Sequence, residues 1–91
     1  MKYQIEITSR FKRDYKLAVK RGLDIKLLED VINILAGGGQ LPDKYKDHAL
    51  CGNWDGYREC HIAPDWLLVY GVSEDVMILV LVRTGSHSDL F

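Results

Sequence analysis

Two runs in the second half of the chain, Trp66 to Val72 and Val76 to Val82, are apolar at nearly every position. A strand with one wet face alternates apolar and polar residues. Strands without that alternation are normally covered on both sides. The break between them, Ser73-Glu74-Asp75, is too short for a crossover, so the two runs should form an antiparallel hairpin. A chain of 91 residues has room for one domain, expected over 1–91. Helices packed on one side of so small a sheet leave the other side to be covered. The cover is either a partner (another chain or a large substrate) or the curvature of the sheet itself.

The remaining elements follow from periodicity. Tyr3, Ile5 and Ile7 alternate with Lys2, Gln4, Glu6 and Thr8, as in a half-buried strand. Ser9 is placed to cap a first helix in which Phe11, Tyr15 and Ala18 recur at helical spacing, with Gly22 as its stop. Asp24 is placed to cap a second, whose stripe is Ile25, Leu28, Val31, Ile32 and Leu35 and which ends at Gly37-Gly38-Gly39. A polar loop runs through Pro42 and Lys46. Strands are predicted over Tyr57 to Ile62, Trp66 to Val72 and Val76 to Thr84. The expected fold is α+β in the order β-α-α-β-β-β. Two N-terminal helices pack on one face of a small, mainly antiparallel four-stranded sheet.

Composition narrows the class. Hydrophobic residues are 47% and charged residues 27% of the chain, as in ordinary globular domains. No apolar run is long enough for a membrane span, and the N-terminus lacks the apolar core of a signal peptide. A cytoplasmic protein with no membrane partner is the expectation. Cys51 and Cys60 form no Cys-x-x-Cys pair and read as small buried residues. The net charge of −1 is unusual for a nucleic-acid binder, yet Arg10, Lys12, Arg13, Lys16, Lys20 and Arg21 crowd the first helix around a single acid, Asp14.

The three histidines, His48, His61 and His87, all stand beside breaks in regular structure. Asp65 follows His61 by four residues, and Arg83 closes the most apolar strand, by alternation on the face of Met77, Leu79 and Leu81. This set suits cleavage of an RNA phosphodiester. One imidazole takes the proton from the ribose 2′-hydroxyl, another protonates the departing 5′-oxygen, and a guanidinium offsets the charge gathering on the phosphoryl oxygens. Such chemistry needs neither metal nor cofactor. Three histidines and Asp65 also suggest zinc, but they lack local ligand spacing. Trp66 and Phe91 flank the set and could stack on bases. Core packing explains Trp66 equally well, and an ordinary solvated side chain explains Arg83.

The segments Asp47-His48-Ala49-Leu50, Gly52 through Ile62, Pro64 through Tyr70 and Arg83 through Phe91 together resemble the YafQ branch of the RelE/ParE toxin superfamily. The resemblance implies a ribosome-dependent endoribonuclease that cuts mRNA in the ribosomal A site. It implies three partners: a cognate antitoxin, the 70S ribosome, and mRNA with ribosomal RNA. It carries acid–base positions to His48, His61, Asp65 and His87, a phosphate-stabilising role to Arg83, and RNA contacts to Trp66 and Phe91. His87 would then be the acid, His48 or His61 the base, and Asp65 an orienting or sharing group. Glu59 falls where the family carries an acid, on the face of His61. The lysines Lys12, Lys16 and Lys20 would grip ribosomal RNA. The alternative is a ParE-like toxin that binds DNA gyrase and cuts nothing; that branch lacks the histidine set.

Overall fold

A computed structural model describes residues 1–91. Strand β1 (Gln4–Ile7) is followed by helices α1 (Ser9–Lys20) and α2 (Ile25–Ala36). Then come β2 (His48–Ala49), β3 (Arg58–Ala63), β4 (Trp66–Ser73), β5 (Ile78–Gly85) and a one-turn helix α3 (His87–Leu90). The sheet has five strands in the order β1-β5-β4-β3-β2. Strand β1 runs parallel to β5, and every other pair is antiparallel.

The helices start and stop where side-chain chemistry allows. Thr8, not Ser9, caps α1: its hydroxyl accepts from Phe11 N–H and donates to the Val82 carbonyl, tying the helix start to β5. Gly22 sits at φ 76° and closes α1 with bonds from Gly22 N–H to Val19 and Leu23 N–H to Ala18, the double bond of a left-handed helix stop. Asp24 caps α2 by accepting from Lys26 N–H. Both helices bury their stripes (Phe11 and Ala18, then Leu28, Val31 and Leu35) against Cys60, Ile62, Trp66, Leu68, Tyr70, Leu79 and Leu81.

The second face is covered from within the chain. Leu67 and Val69 are wholly buried there, packed under Leu90 of α3 and against Leu50, Trp54 and Val82. Neither a partner nor sheet curvature is needed over this centre. Leu90 reaches it because α3 is a built turn: Ser86 accepts from Asp89 N–H, and Asp89 accepts from Ser86 N–H.

Four other expectations need correction. The sheet has five strands rather than four, because β2 is a two-residue edge too short to show a period. There are three helices rather than two; the third is a single turn. Ile5 and Ile7 stand beside Leu79 and Leu81 in register but are 36% and 51% exposed, since β1 is an edge that the helices do not cover. The β4–β5 turn reaches Met77, whose φ of 55° keeps it out of the strand.

Two truncations test this packing. Leu28→Ala should cost about 3–5 kcal/mol in urea unfolding, as a fully buried leucine between helix and sheet. Leu90→Ala should cost about 2 kcal/mol, as a buried leucine that covers Leu67 and Val69. Equal stability of wild type and Leu90→Ala would contradict the cover assigned to α3.

Candidate active site

The register of the sheet lines up the site. His48 on β2 pairs with Glu59 on β3, Glu59 with Val69 on β4, and Val69 with Arg83 on β5. Residues directly opposite in a ladder share a face. Val69 belongs to the cluster on the helix-free side, so His48, Glu59 and Arg83 also lie on that side. In the next row His61 pairs with Leu67 on the same face. The catalytic candidates therefore ring the apolar patch that α3 covers, and α3 itself carries His87.

Contacts link most of the ring. The His87 Nδ1 lies 2.8 Å from Asp65 Oδ1, and His87 N–H donates to the same oxygen at 3.0 Å. A carboxylate only accepts, so Nδ1 carries the hydrogen and Nε2 is left for a substrate. The His87 and His61 rings are 5.7 Å apart. Glu59, only 6% exposed, sits between two imidazoles, with Oε1 3.6 Å from His48 Nε2 and 3.9 Å from His61 Nε2. On the other side of its ring, His48 donates from Nδ1 to the Lys46 carbonyl at 2.8 Å. His48, Glu59, His61, His87 and Asp65 thus form one chain of neighbours around the face. No three His, Cys, Asp or Glu side chains stand in a metal-ligand arrangement.

Arg83 shares the face, but its guanidinium is engaged by α1. A bulge in the β4–β5 ladder falls between the pairs Val69–Arg83 and Tyr70–Leu81 and resets the alternation. Leu79 and Leu81 point to the helix side, but beyond the bulge Thr84 takes that side and Arg83 the other, correcting the face expected from alternation. The guanidinium meets Asp14 of α1 with two bonds of 2.9 Å, from Nε and Nη2. Asp14 also accepts from Thr84 N–H, so it closes the stretch of β5 edge that β1 leaves unpaired. The Arg83 Nη1 has no protein partner.

The aromatic candidates divide. Trp66 is 3% exposed, with its indole N–H donated to Thr84 Oγ1 and the Thr84 hydroxyl donated to Leu67. It is a core residue and offers no face to a base, which corrects the stacking role. Phe91 is 57% exposed and rests edge-on against Trp54 at 5.8 Å. Trp54 in turn meets Tyr57, and both line a groove of about 440 Å³ with Arg10 and Arg83. Sequence reasoning missed this use of Trp54, which lies in a loop without periodicity. Lys12, Lys16 and Lys20 are exposed on α1, in the helix layer rather than on the histidine face. Cys60 is buried, and burial pushes its thiol up to about 12, leaving it protonated and unreactive at neutral pH. Cys51 is exposed, contrary to expectation, because it opens a surface turn.

Residues 3–91 match the family model described as a bacterial toxin of type II toxin-antitoxin systems, YafQ. The chain belongs to this YafQ toxin family. It is 41% identical to the Escherichia coli K12 mRNA interferase toxin YafQ over 88 residues, 96% of this chain and 94% of that protein. The fold is similar to the crystal structure of E. coli BL21(DE3) YafQ, with a TM-score of 0.92, 39% identity and 98% of each chain covered. It is similar also to YafQ in the E. coli DinJ-YafQ complex, with a TM-score of 0.90, 40% identity and 98% of each chain covered.

The carboxylates that hold α3 set its response to acid. The backbone N–H and then the side chain of His87 hold the Asp65 carboxyl below its usual range; the Arg21 guanidinium and the Ser86 N–H do the same for Asp89. A carboxyl depressed in the folded state stabilises it fully above the unfolded value of about 3.9, and that stability is lost as pH falls through the folded value. Docking of α3, followed by the NMR shifts of the Leu90 methyls and Trp54 indole, should therefore hold at pH 5 and fail only below about 3.9. Release between pH 5 and 7 would instead assign α3 docking to a histidine.

Proposed function

We propose that this chain is a ribosome-dependent endoribonuclease that cleaves mRNA in the ribosomal A site, without metal, by attack of the ribose 2′-oxygen. The observation that carries the reading is the His87–Asp65 pair, set on a capped turn beside His61. It leaves His87 Nε2 without a protein partner. An imidazole so held suits a general acid, because orientation rather than raw basicity limits proton transfer at a fixed site.

In the proposed step, a histidine takes the 2′-hydroxyl proton. The 2′-oxygen then bonds to the adjacent phosphorus as the bond from phosphorus to the 5′-oxygen breaks. His87, carrying a second proton on Nε2 with Asp65 balancing the charge, gives that Nε2 proton to the leaving oxygen, and a 2′,3′-cyclic phosphate remains. His48 or His61 is the base. The hydrogen bond from His48 Nδ1 to Lys46 favours His48, since it leaves the lone pair on Nε2. Glu59 sits at hand to balance an imidazolium on either ring. The free Nη1 of Arg83 supplies charge to the phosphoryl oxygens, and Phe91 with Trp54 offers an aromatic edge to a neighbouring base.

Ribosome dependence fits the charge distribution. The net charge is −1, so free RNA gains little from the protein as a whole. The lysine stripe of α1 can grip ribosomal RNA while the ribosome presents the message on the other layer. The E. coli relative crystallised with DinJ supports an antitoxin as the partner that restrains this chain.

Primer extension on a defined mRNA, with and without ribosomes, tests the reading. Wild type should cut only with ribosomes, and His87→Ala should lose at least about 100-fold in rate. Equal cutting by both proteins would remove His87 from the chemistry. Growth arrest through blocked replication, with intact mRNA, would transfer the chain to the gyrase-binding alternative.

A further inference from the structure

Strand β2 is the weakest link in the site. It has two residues, and both His48 and Ala49 are exposed, so no apolar side chain pins it. Its ladder consists of two residue pairs with β3, followed by a bond from Leu50 N–H to Tyr57. A strand so short and wet would open easily by itself. Yet it carries His48, whose imidazole must keep its place to act on a substrate.

The residue before His48 is fixed on the opposite side of the sheet. The Asp47 carboxylate accepts from Arg58 Nη2 at 3.0 Å, from Arg58 Nε at 3.3 Å and from the Tyr70 hydroxyl at 2.5 Å. Tyr70 is 2% exposed in the helix-side core, on β4, and pairs with Arg58 on β3. The bond from Tyr70 to Asp47 therefore reaches across β3 to the stretch between Tyr45, packed on the helix-side core, and Leu50, packed on the other face. Hydrogen bonds to a charged carboxylate are about twice as strong as neutral ones. Next to Asp47, Lys46 takes a left-handed conformation (φ 51°), and its carbonyl accepts from the His48 ring. The hold on Asp47 is thus transmitted over one peptide unit in each direction, to the backbone of His48 and to the acceptor that fixes its ring.

We propose that Asp47, Arg58 and Tyr70 form a clamp on the helix side of the sheet that positions the His48 imidazole on the other side. None of the three touches the substrate; they are positioning residues. The activity arm of the test rests on the reading of His48 given above, whereas the structural arm does not.

The structural arm uses long-range nitrogen–proton NMR on the full chain. In wild type the neutral His48 ring should carry its hydrogen on Nδ1, and Leu50 N–H should be protected from exchange. In Tyr70→Phe and Asp47→Asn the ring should populate both tautomers and Leu50 should lose protection, while signals from Leu28 and Leu79 stay in place. The activity arm measures mRNA cleavage on ribosomes. Asp47→Asn should lower kcat about 10- to 100-fold with little change in KM, and should cost nothing further in a His48→Ala background. An unchanged His48 tautomer with unchanged Leu50 protection in both variants would overturn the clamp, and so would losses that multiply in the double variant. If His48→Ala cuts as fast as wild type, the assignment of His48 as base falls, and the NMR arm still decides the clamp.

Discussion

Leu67 and Val69 have no contact with water, although the helices lie on the far side of their sheet. That burial is the constraint on which the site depends. The hydrophobic gain from covering two fully apolar positions draws Leu90 onto the sheet, and with it the one-turn helix that carries His87. An isolated turn of four residues would not hold its shape in water. Here its cap, its apolar anchor and the Asp65 carboxylate hold it together. The centre of the face is dry, and the polar groups are pushed to its rim.

The rim is held by carboxylates rather than by bulk packing. Asp65 pins His87, Asp14 pins Arg83, and Asp47 pins the strand of His48. The Arg83–Asp14 pair is the most enclosed, with side chains 13% and 12% exposed, so removing Asp14 would strand a poorly hydrated guanidinium. The same pair occupies Nε and Nη2 of Arg83. A phosphate arriving at the face must therefore recruit the free Nη1 or compete with Asp14 for the guanidinium. The histidines and Asp65 form a preassembled group, and on the proposed reading the arginine is the member that substrate has to engage.

Much of this was legible in the residues. The unbroken apolar runs named β4 and β5 and foretold that both faces would be covered. The 3.6-residue stripes named both long helices. What was not legible has physical causes. A two-residue strand has no period, so β2 could not be seen. The parallel seat of β1 beside β5 depends on the path of two helices, not on its own alternation. The bulge opposite Tyr70 reversed the face of Arg83, and no residue type marks it. Helix α3 was within reach, since Ser86-His87-Ser88-Asp89 has the spacing of a capping box. The convergence of His48, His61, Asp65 and His87 was suggested by the family motif and not by any spacing. Asp14 was visible only as the lone acid of a basic helix, and Asp47 carried no signal beyond its place before His48.

The account stands on one arrangement: imidazoles from β2, β3 and α3 sharing a single scissile phosphate. A cryo-EM structure of the ribosome-bound chain, with the A-site message 2′-O-methylated at the cleavage nucleotide, tests it most directly. The account predicts His87 Nε2 within about 3 Å of the 5′-oxygen, a ring nitrogen of His48 or His61 equally near the modified 2′-oxygen, and Arg83 on a phosphoryl oxygen. A message lying along another surface, with that phosphate beyond reach of all three rings, would contradict it.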